Sequence, residues 1–424
     1  MKYSLTKLKN GLQLIISPLS STEAVTVLVL LPVGSRYETA EINGVSHFIE
    51  HLLFKGTKKR PTALDISREL DAVGAEFNAF TAKDQTGYYV KVAADKIELA
   101  FDILSDMLFD ATFASAEIER ERGVIIEEIN MYQDNPLMYV EDVFEQTAFS
   151  SHQLGQLISG PRQVIKTIPR SKIINYQRRF YNPKNMILAV SGAASSATAR
   201  RLAEKYFVSG RPATTPAPAY KKFTVTQTKP QATMVYKKTE QVQVCVGFPA
   251  YRLADSKMYA LYLLAVILGG NMSSRLFTRV REQHGLAYFI RSSISTYQDT
   301  GLLFIQSGLD PRRIKKALGL ISAELKTIKA SGVTAQELSA AKEFLKGKLI
   351  LDLEDSDRIA DWLGKQQLLL KKIQTPEQRI DKLKAVTAAQ VKAVANEVID
   401  KKRTNLAMIG PFTDKNEFLK LLDV

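Results

Sequence analysis

With one cysteine, Cys245, in 424 residues, the chain has no intrachain disulfide, so its fold must rest on buried apolar surface. That usage fits a reducing compartment, and the cytoplasm is the expected location. Cys245 lies in the apolar run Val242 to Phe248, where a small buried residue is the expected role. Long apolar runs are missing too: none reaches the roughly 18 residues that suggest a membrane span. Residues Met1 to Thr22 hold Lys2, Lys7 and Lys9 but neither an unbroken apolar stretch nor a small-residue cleavage site, so no secretory signal is expected. Acidic residues are scarce in one half only. Residues 1–210 carry 24 basic against 24 acidic side chains and residues 211–424 carry 34 against 20, so the whole net charge of +14 sits in the second half. A nucleic-acid partner, or a basic wall facing acidic peptides, would explain such an excess. The cationic stretches, such as Arg312-Arg313-Ile314-Lys315-Lys316, follow helical patterns whose solvated faces account for the charge, and no nucleic-acid partner is expected.

At this length two or three domains are expected, each with a core of its own. Gly210-Arg211-Pro212-Ala213-Thr214-Thr215-Pro216-Ala217-Pro218 is a linker composition. It divides the chain into domains 1–209 and 222–424, with 210–221 between them. One order of elements recurs on both sides. Helical patterns at His47 and at Ala63 to Val73 precede strand patterns Glu76 to Thr81 and Gly87 to Val92, then a helix from Lys96 to Leu108. In the second half, helical Met258 to Leu268 and Ser274 to Gln283 precede strands Ala287 to Ile294 and Gly301 to Ser307, then a helix from Arg312 to Ile328. Turns are expected at Gln85-Thr86-Gly87 and Gln298-Asp299-Thr300-Gly301. The plan is a duplication. It predicts an α+β fold of two similar domains, each a β-sheet with helices packed on one side.

Histidine is nearly as scarce as cysteine, yet two of the chain's four histidines fall in His47-Phe48-Ile49-Glu50-His51. Positions four apart share a helix face, so His47 and His51 can aim ring nitrogens at one point with Glu50 beside it. The order inverts the commoner His-Glu-x-x-His zinc motif. A chance pattern, with half-buried histidines and a surface Glu50, is the competing explanation. Catalytic zinc needs a third protein ligand and an open fourth position. The predicted helix Ser115 to Met131 is the best source, with Glu117, Glu119, Glu121, Glu127 and Glu128. Glu121 and Glu128 lie two turns apart on one face, whereas Glu127 is rotated by about 100° from Glu128. That face offers a ligand and a second carboxylate to orient or charge-balance the site. Two neutral imidazoles and a carboxylate suit zinc, which lowers the pKa of bound water toward about 7. Glu50 would take that water's proton and pass it to the leaving amine.

The stretches Gly44-Val45-Ser46-His47-Phe48-Ile49-Glu50-His51-Leu52-Leu53-Phe54-Lys55-Gly56-Thr57 and Glu121-Arg122-Gly123-Val124-Ile125-Ile126-Glu127-Glu128-Ile129 resemble the zinc helix and downstream ligand helix of the inverted zinc-motif metallopeptidases. That superfamily includes pitrilysin, insulin-degrading enzyme and the mitochondrial processing peptidase. The resemblance implies one zinc ion per active site held by His47, His51 and Glu128, with Glu50 as general base and Glu121 supporting the site from behind. Glu127 is the chief rival ligand. Gly74-Ala75-Glu76-Phe77-Asn78-Ala79-Phe80-Thr81 is similar to the family's substrate-side edge strand, where Asn78 and Ala79 would hold a peptide backbone. Arg281-Glu282-Gln283-His284-Gly285-Leu286-Ala287-Tyr288 resembles the family's arginine and tyrosine pair, which contacts substrate and stabilises the reacting carbonyl. Apart from the resemblance, Arg281 reads as a solvated helix residue and Tyr288 as strand core. His152 and His284 read as structural or surface residues. Gln153 stands where the family more often has proline, which bears on that loop's shape alone.

The resemblance spans both halves and the linker. It implies the short, two-domain, dimeric class, in which each chain forms half of a clamshell chamber and Arg281 and Tyr288 act on the partner's zinc site. A homodimer carries every residue required, and a heterodimer stays open. The expected function is a zinc endopeptidase cleaving extended peptides. The alternative is a noncatalytic scaffold or assembly subunit; such members typically lose their zinc residues, and this chain keeps His47, Glu50, His51 and Glu128.

Overall fold

The computed structural model describes residues 1–208 and 219–424, so most of the expected linker, 210–218, lies outside the described residues. Two compact units form. The first comprises Met1–Ile129, Gln156–Lys221 and Ile350–Pro376, and the second Asn130–Gly155, Lys222–Leu349 and Glu377–Val424.

In the first unit, β1 (Ser4–Lys7), β2 (Gln13–Pro18), β3 (Ala24–Leu31), β4 (Glu76–Thr81), β5 (Thr86–Ala93) and β6 (Ile187–Gly192) make a sheet of order β1-β2-β6-β3-β5-β4. β3 reads Ala-Val-Thr-Val-Leu-Val-Leu-Leu, too apolar for a strand with one wet face. Its alternate residues divide between two layers. Val25, Val27, Val29 and Leu31 pack beneath α1 (Val45–Leu53), α2 (Ala63–Asp71), α3 (Ile97–Asp110) and the helix Arg170–Phe180. Leu28 and Leu30 face the other way, onto Ile359, Ala360 and Leu363 of the helix Ser356–Lys365. Thr26, buried on that second face, shares a 2.8 Å hydrogen bond with Ser356.

The second unit holds β7 (Gln231–Tyr236), β8 (Val242–Ala250), β9 (Ala287–Thr296), β10 (Gly301–Leu309) and β11 (Asn405–Gly410), in the order β7-β11-β8-β10-β9. The duplication is explicit. β2-β6-β3-β5-β4 and β7-β11-β8-β10-β9 follow one topology, with a single parallel pair, β2 with β6 or β7 with β11, and antiparallel pairs elsewhere. β4 and β9 are the equivalent edge strands. Cys245 is buried on the face of this sheet that packs against α5 (Pro136–Ala148).

Each sheet therefore carries its main helical layer on one face and a single helix from the other half of the sequence on the opposite face: Ser356–Lys365 on the first, α5 on the second. All strands before residue 221 lie in the first sheet and all strands after it in the second, while each of these two helices covers the sheet built from the other half. Within the hairpins, Thr86 and Gly87 are already strand, paired with Thr81 and Phe80, so the first turn is Ala82–Gln85 and not Gln85-Thr86-Gly87. No helix among the described residues is long and apolar enough to cross a membrane.

Candidate metal centre

The helix α1 carries both motif histidines, and its start is built with care. Gly44 precedes it at φ +98°, and a Cβ there would stand 2.6 Å from the Ser159 carbonyl oxygen and 2.7 Å from Ile165 Cδ1, so only glycine fits. Gly44 has no side chain to cap the helix. Glu38 does this from outside: its Oε2 accepts from the Gly44 N–H at 2.6 Å and from Asn43 Nδ2 at 2.8 Å, and its Oε1 accepts from the Ser46 N–H at 2.8 Å. A carboxylate there satisfies amides that the helix leaves unpaired and faces the positive end of its dipole. Burial raises the Glu38 pKa, and the three donors hold it back. Ser46 Oγ also meets the Tyr176 hydroxyl at 2.9 Å. Val45, Phe48, Ile49, Leu52 and Leu53 are buried. Each such side chain contributes roughly 2 kcal/mol, enough to fix the rotation of the helix with His47, Glu50 and His51 on its other side.

Opposite lies α4 (Ser115–Asp134), seated through Ile118, Glu121, Ile125 and Ile129. Arg122 donates to the Ile165 and Ile168 carbonyls and lies 5.6 Å over the Phe48 ring, holding α4 against α1. His47 Nε2 and His51 Nε2 are 3.3 Å apart, and Glu128 Oε2 is 3.5 Å from each. Tetrahedral zinc with ligands at 2.0–2.1 Å sets them about 3.4 Å apart. The buried Glu128 Oε2 has the two imidazoles as its ion-pair partners and no other polar partner among the described residues. The donor set and its spacing fit zinc. Among the described residues it is the one group of this kind found. Glu127, the rival, is exposed and outside the cluster.

Glu121, at 1% relative exposure, is spent on orientation. Its Oε2 lies 3.1 Å from His51 Nδ1 and its Oε1 2.9 Å from Lys55 Nζ. The carboxylate fixes the ring and the tautomer, leaving Nε2 for a metal. Burial lowers the pKa of His47, and the His51 charge adds to that, bringing it to about 4. Burial opposes charge on His51 as well, but its hydrogen bonds to Glu121 and Glu128 outweigh this and raise it to about 9. The His51 hydrogen bond holds Glu128 low despite burial.

Glu50 points into the same region. Burial raises its pKa, opposed by a hydrogen bond from Thr81 and by His51. Thr81 Oγ1 donates to Glu50 Oε2 at 2.6 Å, which joins the glutamate to the edge strand β4. Asn78 and Ala79 lie on that strand, opposite Tyr89 and Tyr88 of β5, and the Ala79 N–H donates to Asn78 Oδ1 at 2.8 Å. Arg281 and Tyr288 belong to the second unit, Arg281 in the π-helical segment Phe277–Gln283 and Tyr288 on the edge strand β9. The guanidinium lies 4.7 Å from the Phe277 ring centroid and 5.7 Å from that of Tyr288. Tyr288 is 75% exposed, which excludes the strand-core reading.

The structure thus brings His47, His51, Glu128, Glu121 and Glu50 together in one unit, with β4 beside them, and pairs Arg281 with Tyr288 in the other. Three contributors carried no signal of their own in the sequence. Glu38 stands nine positions before His47, Lys55 follows the motif as an ordinary lysine, and Thr81 is a common strand residue.

Known proteins resemble this chain in sequence and in fold. Residues 14–162 match the insulinase family (peptidase family M16), and residues 167–345 match the family described as the peptidase M16 inactive domain. The uncharacterized zinc protease YmxG of Bacillus subtilis is 35% identical over 95% of this chain and 97% of its own length. An uncharacterized zinc protease of Streptomyces coelicolor is 36% identical over 97% of this chain and 90% of its own. The crystal structure of a protease from Helicobacter pylori aligns with a TM-score of 0.90 at 25% identity, covering 97% of this chain and 99% of that one. A Pseudomonas fluorescens structure titled as a peptidase M16 inactive domain has the same fold, with a TM-score of 0.90 at 18% identity over 97% of this chain and 98% of that one.

Proposed function

Because the chain belongs to peptidase family M16, we propose that it is a zinc-dependent endopeptidase hydrolysing extended peptides or unfolded protein segments. The observation that carries this reading is the convergence of His47 Nε2, His51 Nε2 and Glu128 Oε2 at zinc-ligand spacing, with a carboxylate, Glu50, beside them on the same helix. A zinc ion bound there supplies Lewis acidity, polarising a scissile carbonyl and making a neighbouring water more acidic.

The protein's own groups do the rest. Glu50 accepts the proton of the attacking water and delivers it to the leaving amine. Glu121 holds the His51 ring, and Lys55 balances the charge of Glu121. The free edge of β4 aligns the peptide by backbone pairing at Asn78 and Ala79, which favours extended substrates with little demand on sequence. Arg281 and Tyr288 assist at the reacting carbonyl, acting across the dimer from a partner chain. The protein assembles as a homodimer enclosing the site in a chamber, and a size measurement in solution tests that part.

Glu50→Gln is the test of the enzyme. Turnover on a mixed peptide pool is expected to fall by at least about 100-fold, the usual share of a general base, while zinc content stays at that of the wild type. Near-wild-type cleavage by the zinc-loaded variant would sink the role of Glu50. A wild-type protein that takes up no zinc and cleaves nothing would favour the scaffold reading.

A further inference from the structure

Thr81 is, among the described residues, the hydrogen-bond partner of the Glu50 carboxylate: its Oγ1 donates to Oε2 at 2.6 Å. A glutamate has three side-chain torsions, and a base that wanders among rotamers loses much of its effect, because a misplacement of about 1 Å can cost 100-fold. The contact fixes one carboxylate oxygen and leaves the other, Oε1, to take a proton.

The anchor is itself stiff. Threonine is branched at Cβ, which restricts χ1. Thr81 pairs with Thr86 of β5, and Thr86 Oγ1 donates to the Val33 carbonyl at 2.8 Å. Along β4, residues 77, 79 and 81 share a face. Phe77 on this face lies 6.2 Å from Phe54, just past the end of α1, and Ala79 packs against the same core. The hydroxyl that holds Glu50 is therefore two residues along the strand from the backbone on which a peptide would lie.

We propose that Thr81 is a positioning residue for the general base: its hydroxyl locks the Glu50 carboxylate and sets base and substrate edge in one register. This rests on the peptidase reading above. A peptide paired to β4 at Asn78 and Ala79 and the base bound to Thr81 then share a single rigid strand, so a scissile bond in register is also at the right distance from Oε1.

Two substitutions test it. Thr81→Val keeps the branched shape and removes the donor, whereas Thr81→Ser keeps the donor. For Thr81→Val, kcat is expected to fall about 10- to 100-fold, as for loss of a hydrogen bond to a charged group that orients a reactant. KM and zinc content should stay at wild-type values, and Thr81→Ser should restore most of the turnover. Crystal structures of the zinc-free variants give a readout that needs no activity: the Glu50 carboxylate leaves its place in Thr81→Val and keeps it in Thr81→Ser. Unchanged kcat in Thr81→Val, equal losses in both variants, or loss of zinc from Thr81→Val would each overturn the proposal. If the wild-type protein cleaves no peptide, the peptidase reading fails on its own, and an unmoved Glu50 in zinc-free Thr81→Val overturns the positioning role separately. Should Thr81→Val not fold, Thr81→Ala takes its place with the same readouts.

Discussion

Zinc binding to this protein should be coupled to pH through one residue, His51. In the metal-free protein burial works against its charge, yet hydrogen bonding to Glu121 and Glu128 raises its pKa to about 9. His47, lowered by burial to about 4, is neutral near pH 7, and Glu128, held low by His51, is ionised. Neither exchanges a proton in that range. His51 Nε2 must be free of its proton to bind a metal. Its folded-state pKa lies above the ordinary 6.5, so the proton competes at neutral pH and the competition is lost as pH rises through about 9. The affinity should therefore climb about tenfold per pH unit from pH 7 and level off near 9; at pH 7 the proton weakens binding by about two orders of magnitude, about 3 kcal/mol. Competition against a fluorescent chelator, corrected for the chelator's own protonation, measures the slope, and calorimetry in two buffers of different ionisation enthalpy counts the proton released. An affinity that is flat from pH 7 to 8.5, with no proton released, would refute the reasoning, since His51 would then already be neutral. Glu121→Ala separates the two effects of that carboxylate. It flattens the slope by lowering the His51 pKa, and above pH 9 it weakens zinc binding about 10- to 100-fold because the ring loses its orienting partner.

Other outcomes follow from the same structure. Gly44→Ala places a Cβ 2.6 Å from the Ser159 oxygen at φ +98° and should destabilise the protein by about 1–3 kcal/mol, read as a lower Tm with weaker zinc retention. Tyr288→Phe should lower kcat/KM by about 100-fold, the scale for one lost donor at a developing oxyanion, with zinc content unchanged, and Arg281→Ala should also lower it; full activity in both would make the pair a surface feature. The Arg275 hydrogen bond holds the Glu337 pKa at about 2, against the effect of burial and below its ordinary 4.5. Its contribution is present above pH 4.5 and lost as pH falls towards 2, so denaturant midpoints measured from pH 6 to 2.5 should fall less in Glu337→Gln than in the wild type.

Much of this was legible in the sequence because it depends on local spacing. Histidines four apart and glutamates seven apart state which side chains share a helix face, and the patterns Glu76 to Thr81 and Ala287 to Ile294 were legible as strands, the first as an edge only through the family resemblance. The unread parts depend on contacts between distant segments. Glu38 lies in an irregular stretch, and its role as a cap exists only because the chain folds back onto the start of α1. Thr81 was visible as a strand residue, but nothing in its neighbours says that its hydroxyl reaches Glu50. The turn of the first hairpin came out displaced because Thr86-Gly87 has turn composition, while pairing with Thr81 and Phe80 draws both residues into the strand. Tyr288 looked like core by composition, but an edge strand has an open side.

The helix Ser356–Lys365, which covers the far face of the first sheet, sets an order of events during synthesis. When the ribosome has delivered residue 221, every zinc-site residue exists, yet Ile15, Leu28, Leu30, Ile187 and Ala189 still present a bare apolar surface. Their cover arrives with Ile350–Pro376, roughly 7 to 30 s later at 5–20 residues per second. A nascent chain in that interval is a client for chaperones, and a fragment cut at the linker would keep the metal-binding side chains while lacking the layer that keeps their sheet soluble.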